Sequence, residues 1–163
     1  MVKMKLLLKL ATPSIADSLS SLFNGSLLAG EFPDAWKTVF ITPILKEGKN
    51  PTEATSYRPV ALLSCLSKVL ERLVHEQLLT FCLENQVIPQ EQFGFLKCRS
   101  AEWQLLSVLE DWYATLEKGH HVHAAFLDAA KAFDRVDHSV LLSMLSDIGV
   151  RGVPLAWFHS YLS

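Results

Sequence analysis

Three aspartates near one another are the residues best placed to do chemistry. Asp128 ends the apolar run His121-Val-His-Ala-Ala-Phe-Leu-Asp128, and Asp134 and Asp137 follow six and nine residues later. A carboxylate at the end of an apolar strand is costly to bury unless it is paired or holds a metal. The small residues Ala129, Ala130 and Ala132 leave room for a ligand to approach the backbone. Spacing alone leaves two readings open. Asp128 is a metal ligand, or it is a loop residue while Asp134 and Asp137 cap the next helix.

Two other groups could carry chemistry. His120, His121 and His123 cluster just before Asp128, and His121 and His123 would share one face of a strand, as zinc ligands can. No cysteine or further histidine is spaced to complete a tetrahedron, so polar residues opening a strand are the simpler account. Lys46, Lys49 and Arg58 supply positive charge around the first extended segments. By default such charges form a solvated face. Cys65, Cys82 and Cys98 have no CxxC spacing and read as buried, reduced thiols.

The elements that must position these residues are legible from periodicity and punctuation. Thr12-Pro13 is an N-cap and first-turn pair, and Ile15, Leu19, Leu22 and Phe23 recur at helical spacing until Asn24-Gly25. The segment before it, with Lys3 and Lys5 flanking a short apolar patch, reads as amphipathic helix rather than a signal peptide. Val39–Leu45 is a strand that Pro43 confines to an edge or bulge. Tyr57–Leu63 is a second extended run. A long helix is predicted from about Ser64 to Asn85, an irregular stretch from Pro89 to Cys98, and a helix capped by Ser100 and ended by Gly119. His121–Asp128 is predicted as a strand. Helices around 139–148 and 154–162 follow, and Trp103, Trp112 and Trp157 are assigned to core or interface. Mixed strands and long helices without strict alternation give an α+β layer architecture.

Composition bounds the rest. The chain has 163 residues, half of them hydrophobic, with net charge −2. That excludes overall disorder, and no stretch approaches the ~20 apolar residues of a membrane span. The charge is uneven: residues 1–100 carry 11 Lys/Arg against 9 Asp/Glu, and residues 101–163 carry 4 against 8. Carboxylates therefore concentrate around Asp128, where a cation could be held. With no targeting signal and reduced thiols, the expected setting is intracellular, cytoplasmic or nuclear.

Five segments in order resemble one family. They are Phe32-Pro-Asp-Ala-Trp-Lys37, Pro43-Ile-Leu-Lys-Glu-Gly-Lys49, Tyr57-Arg-Pro-Val-Ala-Leu-Leu-Ser64, Gln92-Phe-Gly-Phe95 with Arg99-Ser100, and Phe126-Leu-Asp-Ala-Ala-Lys-Ala-Phe-Asp-Arg-Val-Asp-His138. Together they resemble the reverse transcriptase of non-LTR (LINE-type) retrotransposons, and Trp157–Ser163 fits the run that follows its first catalytic motif. The resemblance implies a partial right-hand polymerase: a helical lead-in over 1–36, fingers over 37–120 and the start of the palm over 121–163. It implies that Asp128 is the first catalytic aspartate and a ligand of two Mg²⁺ ions. Phe133 would close the sugar pocket against a ribose 2′-hydroxyl. Lys46 and Arg58 would hold the nucleotide's phosphates, and Ala129 and its neighbours would offer backbone amides to them. The implied partners are an RNA template, a DNA primer and deoxynucleoside triphosphates.

The departures from the family shape the expectation. The Pro-Gln-Gly and Ala-Asp-Asp motifs and the thumb are missing from these residues, and Leu96-Lys97-Cys98 replaces a Pro-Gly type turn. Two Mg²⁺ ions about 4 Å apart repel strongly, and one carboxylate cannot offset that. The chain is therefore expected to be a fragment that is inactive alone, with apolar surface exposed along Val122–Leu127 and Leu155–Leu162. Two alternatives remain: a non-catalytic RNA- or protein-binding remnant of the same fold, and an unrelated metal-dependent hydrolase built on Asp128, His123 and His138.

Overall fold

The computed structural model describes residues 2–163, with side chains from Ser14 onward. Five helices and one two-stranded sheet follow in the order α1 (Val2–Ala29), β1 (Phe40–Leu45), β2 (Tyr57–Leu62), α2 (Cys65–Glu84), α3 (Ala101–Glu117), α4 (His138–Asp147) and α5 (Val153–Leu162). The α+β expectation holds at this level. The chain divides into two compact units, one of residues 1–78 with 137–163 and the other of residues 79–136.

The first unit is organised around aromatic rings. Phe23 from α1, Phe32 from the following loop, Leu70 from α2 and Trp157 from α5 are buried together, with Leu19, Leu27, Trp36, Val74 and Phe158 packed against them. Trp157 stacks on Tyr161 and meets Phe32 edge-on at 5.5 Å, the geometry that ring quadrupoles favour. Its indole N–H donates to the Ser26 hydroxyl at 3.0 Å, so burial leaves no polar group unpaired. Gly30 closes α1 at φ +69°, and a Cβ there would meet the Val153 carbonyl oxygen at 3.1 Å. Glycine thus both ends the helix and lets α5 approach.

α1 departs from expectation at both ends. It runs through Thr12-Pro13 and through Asn24-Gly25. A glycine inside a helix costs about 1 kcal/mol, and the burial of Phe23 beside Leu27 on the flanking turns outweighs that. The true stop is Gly30, where the Glu31 amide bonds back to the Ser26 carbonyl at 3.1 Å.

The sheet explains its prolines. β1 and β2 pair antiparallel with Pro43 opposite Pro59 and Phe40 opposite Leu62. Neither proline has an N–H, so the pair must occupy a site without ladder bonds. The Lys46 amide bonds to the Ser56 carbonyl at 2.8 Å, in the phase that this requires. Both strands are edges, and each carries a proline on its outward-facing side. The hairpin's apolar side chains, among them Phe40, Ile41, Val60 and Leu62, are exposed.

In the second unit the end of α2 and the whole of α3 alternate with irregular segments. Val87 donates to the Cys82 carbonyl at 2.9 Å and closes α2, with Gln86 in the left-handed region at φ +54°. The Ser100 hydroxyl accepts from the Trp103 amide at 3.3 Å and starts α3, as the sequence predicts. The Ser100 hydroxyl, aided by a backbone amide, also holds the Glu102 carboxyl below the usual range. Gly119 ends α3 at φ +74°.

One element is corrected. Residues 121–129 form no strand, and among the described residues no backbone bond joins them to a neighbour. A strand needs a partner ladder, and the only sheet among the described residues is the hairpin far earlier in the chain. The cysteine expectation is corrected in part. Cys82 is buried, and burial pushes its thiol up, but Cys98 is exposed. Of the tryptophans, Trp157 is core whereas Trp103 is exposed. Leu155–Leu162 forms α5, whose Trp157 is buried, so its apolar residues are largely covered; Phe126 and Leu127 are almost fully exposed.

Candidate functional site

The five residues singled out as a site fall in the two units separately. Lys46 and Arg58 belong to the first, and Asp128, Ala129 and Phe133 to the second.

The hairpin brings its two cations onto one face. Arg58 pairs opposite Ile44, and Lys46 lies two residues beyond Ile44 on the same strand direction, so period-2 alternation aligns them. The Lys46 ammonium donates to the Thr55 carbonyl at 2.8 Å, which pins its stem over the turn and leaves further N–H donors available. Arg58 is exposed and makes no ion pair among the described residues. Guanidinium and ammonium side by side on an open face can grip a polyphosphate, the guanidinium through two parallel bonds.

Around Asp128 the chain is open. Residues 123–140 are all exposed, and among the described residues no hydrogen bond to the Asp128 carboxylate is found. After Ala129 the backbone turns sharply. Lys131 adopts φ +53° in the left-handed region, Ala132 is right-handed at φ −50°, and a single 3-10 turn covers Phe133–Arg135. The turn's bonds engage the amides of Asp134, Arg135 and Val136, to Lys131, Ala132 and Phe133 respectively. Lys131 left-handed and Ala132 right-handed in succession is the backbone pattern that turns neighbouring N–H groups toward one concavity, of the kind that holds anions.

The acidic residues separate into different roles. Asp137 caps α4: its Oδ1 accepts from the Ser139 amide at 2.8 Å, the Val140 amide at 3.3 Å and the Ser139 hydroxyl at 2.6 Å. The Ser139 hydroxyl, those amides and the adjacent His138 hold its carboxyl below the usual range. Asp134 sits in the 3-10 turn and caps nothing. His120, His121 and His123 are exposed, and among the described residues no three His, Cys, Asp or Glu side chains gather as a metal cluster. His138 is occupied by α5, with Nδ1 3.0 Å from the Leu162 carbonyl oxygen.

Sequence reasoning assigned no role to two features. In the first unit the Tyr161 hydroxyl bonds the Glu71 carboxylate, which also accepts from the fully buried Ser67 hydroxyl. Burial, then the Glu71 charge and its bond, push the Tyr161 hydroxyl up. In the second unit Phe95 sits edge-on to Phe133, with ring centroids 6.1 Å apart. The signal for the latter was the Gln92-Phe-Gly-Phe95 motif itself, whose partner is far away in sequence.

Comparison with known proteins adds an independent result. The family model described as reverse transcriptase (RNA-dependent DNA polymerase) matches residues 44–163. The chain is 43% identical over 124 residues to the RNA-directed DNA polymerase from mobile element jockey of Drosophila melanogaster, covering 76% of the chain and 14% of that relative. The jockey protein of Drosophila funebris is also 43% identical, over 121 residues. A probable RNA-directed DNA polymerase from transposon BS of Drosophila melanogaster is 35% identical over 130 residues, 80% of the chain and 14% of the relative. The chain therefore spans about a seventh of the relatives it matches. No helix among the described residues is long and apolar enough to cross a membrane.

Proposed function

Because the chain belongs to the reverse transcriptase (RNA-dependent DNA polymerase) family, with non-LTR (LINE-type) retrotransposon enzymes as its relatives, we propose that it supplies the nucleotide-gripping part of an RNA-directed DNA polymerase. Residues 1–36 are a helical lead-in, residues 37–120 the fingers and residues 121–163 the opening of the palm. The observation that carries this reading is the continuous family match over 44–163, which contains Lys46, Arg58, Asp128, Ala129 and Phe133.

In this reading each residue has a distinct task. Lys46 and Arg58 hold the phosphates of a deoxynucleoside triphosphate. The backbone amides that begin at Ala129 receive phosphate oxygens as the backbone turns. Phe133 stands against the 2′ position and excludes a ribose hydroxyl. Asp128, exposed and unpaired, offers one carboxylate ligand to Mg²⁺, which usually takes one or two carboxylates alongside substrate phosphates and water. When bound, two such ions lower the pKa of the primer 3′-hydroxyl and stabilise charge on the transferring phosphate. Asp137 already commits its Oδ1 to capping α4, so Asp128 is the carboxylate this reading assigns to the metal. The 163 residues alone therefore hold nucleotide without extending a primer on an RNA template.

Equilibrium binding of dTTP in Mg²⁺ tests this. The double substitution Lys46→Ala and Arg58→Ala is expected to weaken binding about tenfold or more, the scale of lost charged hydrogen bonds. Asp128→Ala should weaken binding in Mg²⁺ and leave it unchanged in EDTA. A chain that binds no dTTP overturns the proposal. Primer extension by the 163 residues, abolished by Asp128→Ala, would overturn the one-carboxylate argument. The uncovered apolar hairpin favours a second reading, a non-catalytic remnant that binds a protein; a dTTP-silent chain would favour it.

A further inference from the structure

Phe133 is the aromatic assigned above to sugar selection, yet it stands 79% exposed on a single 3-10 turn. A ring so placed has no packing to choose among its rotamers, and a selective wall must stay in one position. Its only ring contact among the described residues is Phe95, at 6.1 Å and 80°. Phe95 is itself 89% exposed, so it buries no core of its own.

The loop beneath Phe95 is braced where the ring is not. Arg99 donates Nη1 to the Gln92 carbonyl at 2.7 Å and also to the Gln90 carbonyl. Its guanidinium lies over the Phe93 ring, 5.2 Å from the centroid. The Gln92 side-chain amide donates to the Gly94 carbonyl at 3.0 Å, and the Gln92 amide to the Pro89 carbonyl at 3.1 Å. Phe95 then adopts φ +64°, a left-handed conformation uncommon for a residue with a Cβ. A conformation of that kind persists only where the surroundings enforce it. Here it turns an aromatic side chain out of the loop and onto Phe133.

We propose that Phe95 is a positioning residue: mounted on the Arg99-braced loop, it fixes the Phe133 ring edge-on and so sets discrimination against a 2′-hydroxyl. The inference rests on the reading of Phe133 as the sugar-facing ring. It assigns Phe95 no contact with nucleotide, only with the residue that makes one. An edge-to-face aromatic pair is worth enough to shift a rotamer population by about fivefold.

The test is the ratio of ribothymidine triphosphate to dTTP dissociation constants in Mg²⁺ for the 163-residue chain, two nucleotides that differ only in the 2′-hydroxyl. Phe95→Leu keeps an apolar side chain and a Cβ, so the backbone preference and the fold are retained. It should lower the ratio about fivefold while dTTP affinity stays within about twofold. Phe95→Tyr, which keeps the ring, should restore the ratio. In chain labelled with 4-fluorophenylalanine, the ¹⁹F resonance lost in Phe133→Leu should shift in Phe95→Leu and not in Phe95→Tyr. If Phe133→Ala lowers the ratio and Phe95→Leu does not, the inference is overturned while the role of Phe133 stands. A wild-type chain with a ratio near one, or with no nucleotide binding, overturns both. Equal losses of dTTP and ribothymidine triphosphate affinity in Phe95→Leu would show a merely structural role and overturn the inference alone.

Discussion

The aromatic cluster around Trp157 and the segment around Asp128 have similar apolar content and opposite fates. Trp157 is 3% exposed, stacked between rings and bonded through its indole nitrogen. Phe126 and Leu127, flanking Asp128, are 89% and 97% exposed. The difference lies in how far each segment must reach for partners. Helices satisfy their own backbone and need only bring one face to a neighbour. An extended run satisfies nothing until a second strand pairs with it. Asp128 sits on an extended run that has no such partner among the described residues.

The largest test of this contrast is Trp157→Ala. Emptying that site should cost roughly 3–5 kcal/mol of unfolding free energy, the range for deleting a buried aromatic. The control is Trp103→Ala in the second unit, where the ring is 65% exposed; its cost should stay below about 1 kcal/mol. Denaturant titrations followed by far-UV dichroism measure both. Similar losses for the two would erase the distinction between a packed core and a solvated helix face.

A smaller effect probes the polar edge of the same core. Burial and Glu71 raise the Tyr161 hydroxyl above its ordinary pKa, which is about 10. The unfolded chain therefore loses that proton first as pH rises. The stability this hydroxyl contributes is fully present below pH ~10 and falls as pH climbs through the folded value. Tyr161→Phe should remove that alkaline decline, and Glu71→Gln should reduce it. Stability measured from pH 8 to 11 that declines equally in wild type and Tyr161→Phe would place the alkaline-sensitive group elsewhere.

What could be read from the residues follows the same division. Ser100 and Gly119 punctuate α3 by local bonding where the sequence predicts, and Asp137 takes the capping role that its spacing left open. Pro43 marks an edge strand because a missing N–H is a local fact, and its proline partner across the hairpin completes the reason. Gly25 misled because the price of a helical glycine is set against burial of Phe23, a tertiary quantity. His121–Asp128 misled because alternation and β-branching describe a strand's fitness for a sheet without supplying the sheet. Lys46 and Arg58 were chosen by family likeness, and the register puts them on one face. The Phe95–Phe133 contact joins residues 38 apart, beyond any periodic signal.

The smallest effect sharpens the boundary between the two regions, because Asp137 is where the open segment gives way to the packed unit. Its carboxylate accepts the Ser139 and Val140 amides that α4 cannot satisfy internally. Those bonds, with the Ser139 hydroxyl and His138, lower its folded pKa below the ordinary carboxylate value of about 3.9. The unfolded chain therefore binds the proton first as pH falls. The cap's contribution is complete above pH ~4 and is lost as pH drops through the depressed folded value. The expected sign is a fraying of α4's first turn in acid, seen as coupled shifts of the Ser139 and Val140 amide resonances between pH 5 and 2. Asp137→Asn keeps an accepting oxygen but has no titrating charge, so it should retain the turn and flatten the pH dependence. Amides that shift identically in Asp137→Asn would mean that the acid-sensitive group is not the cap, and that the ordered unit does not begin at Asp137.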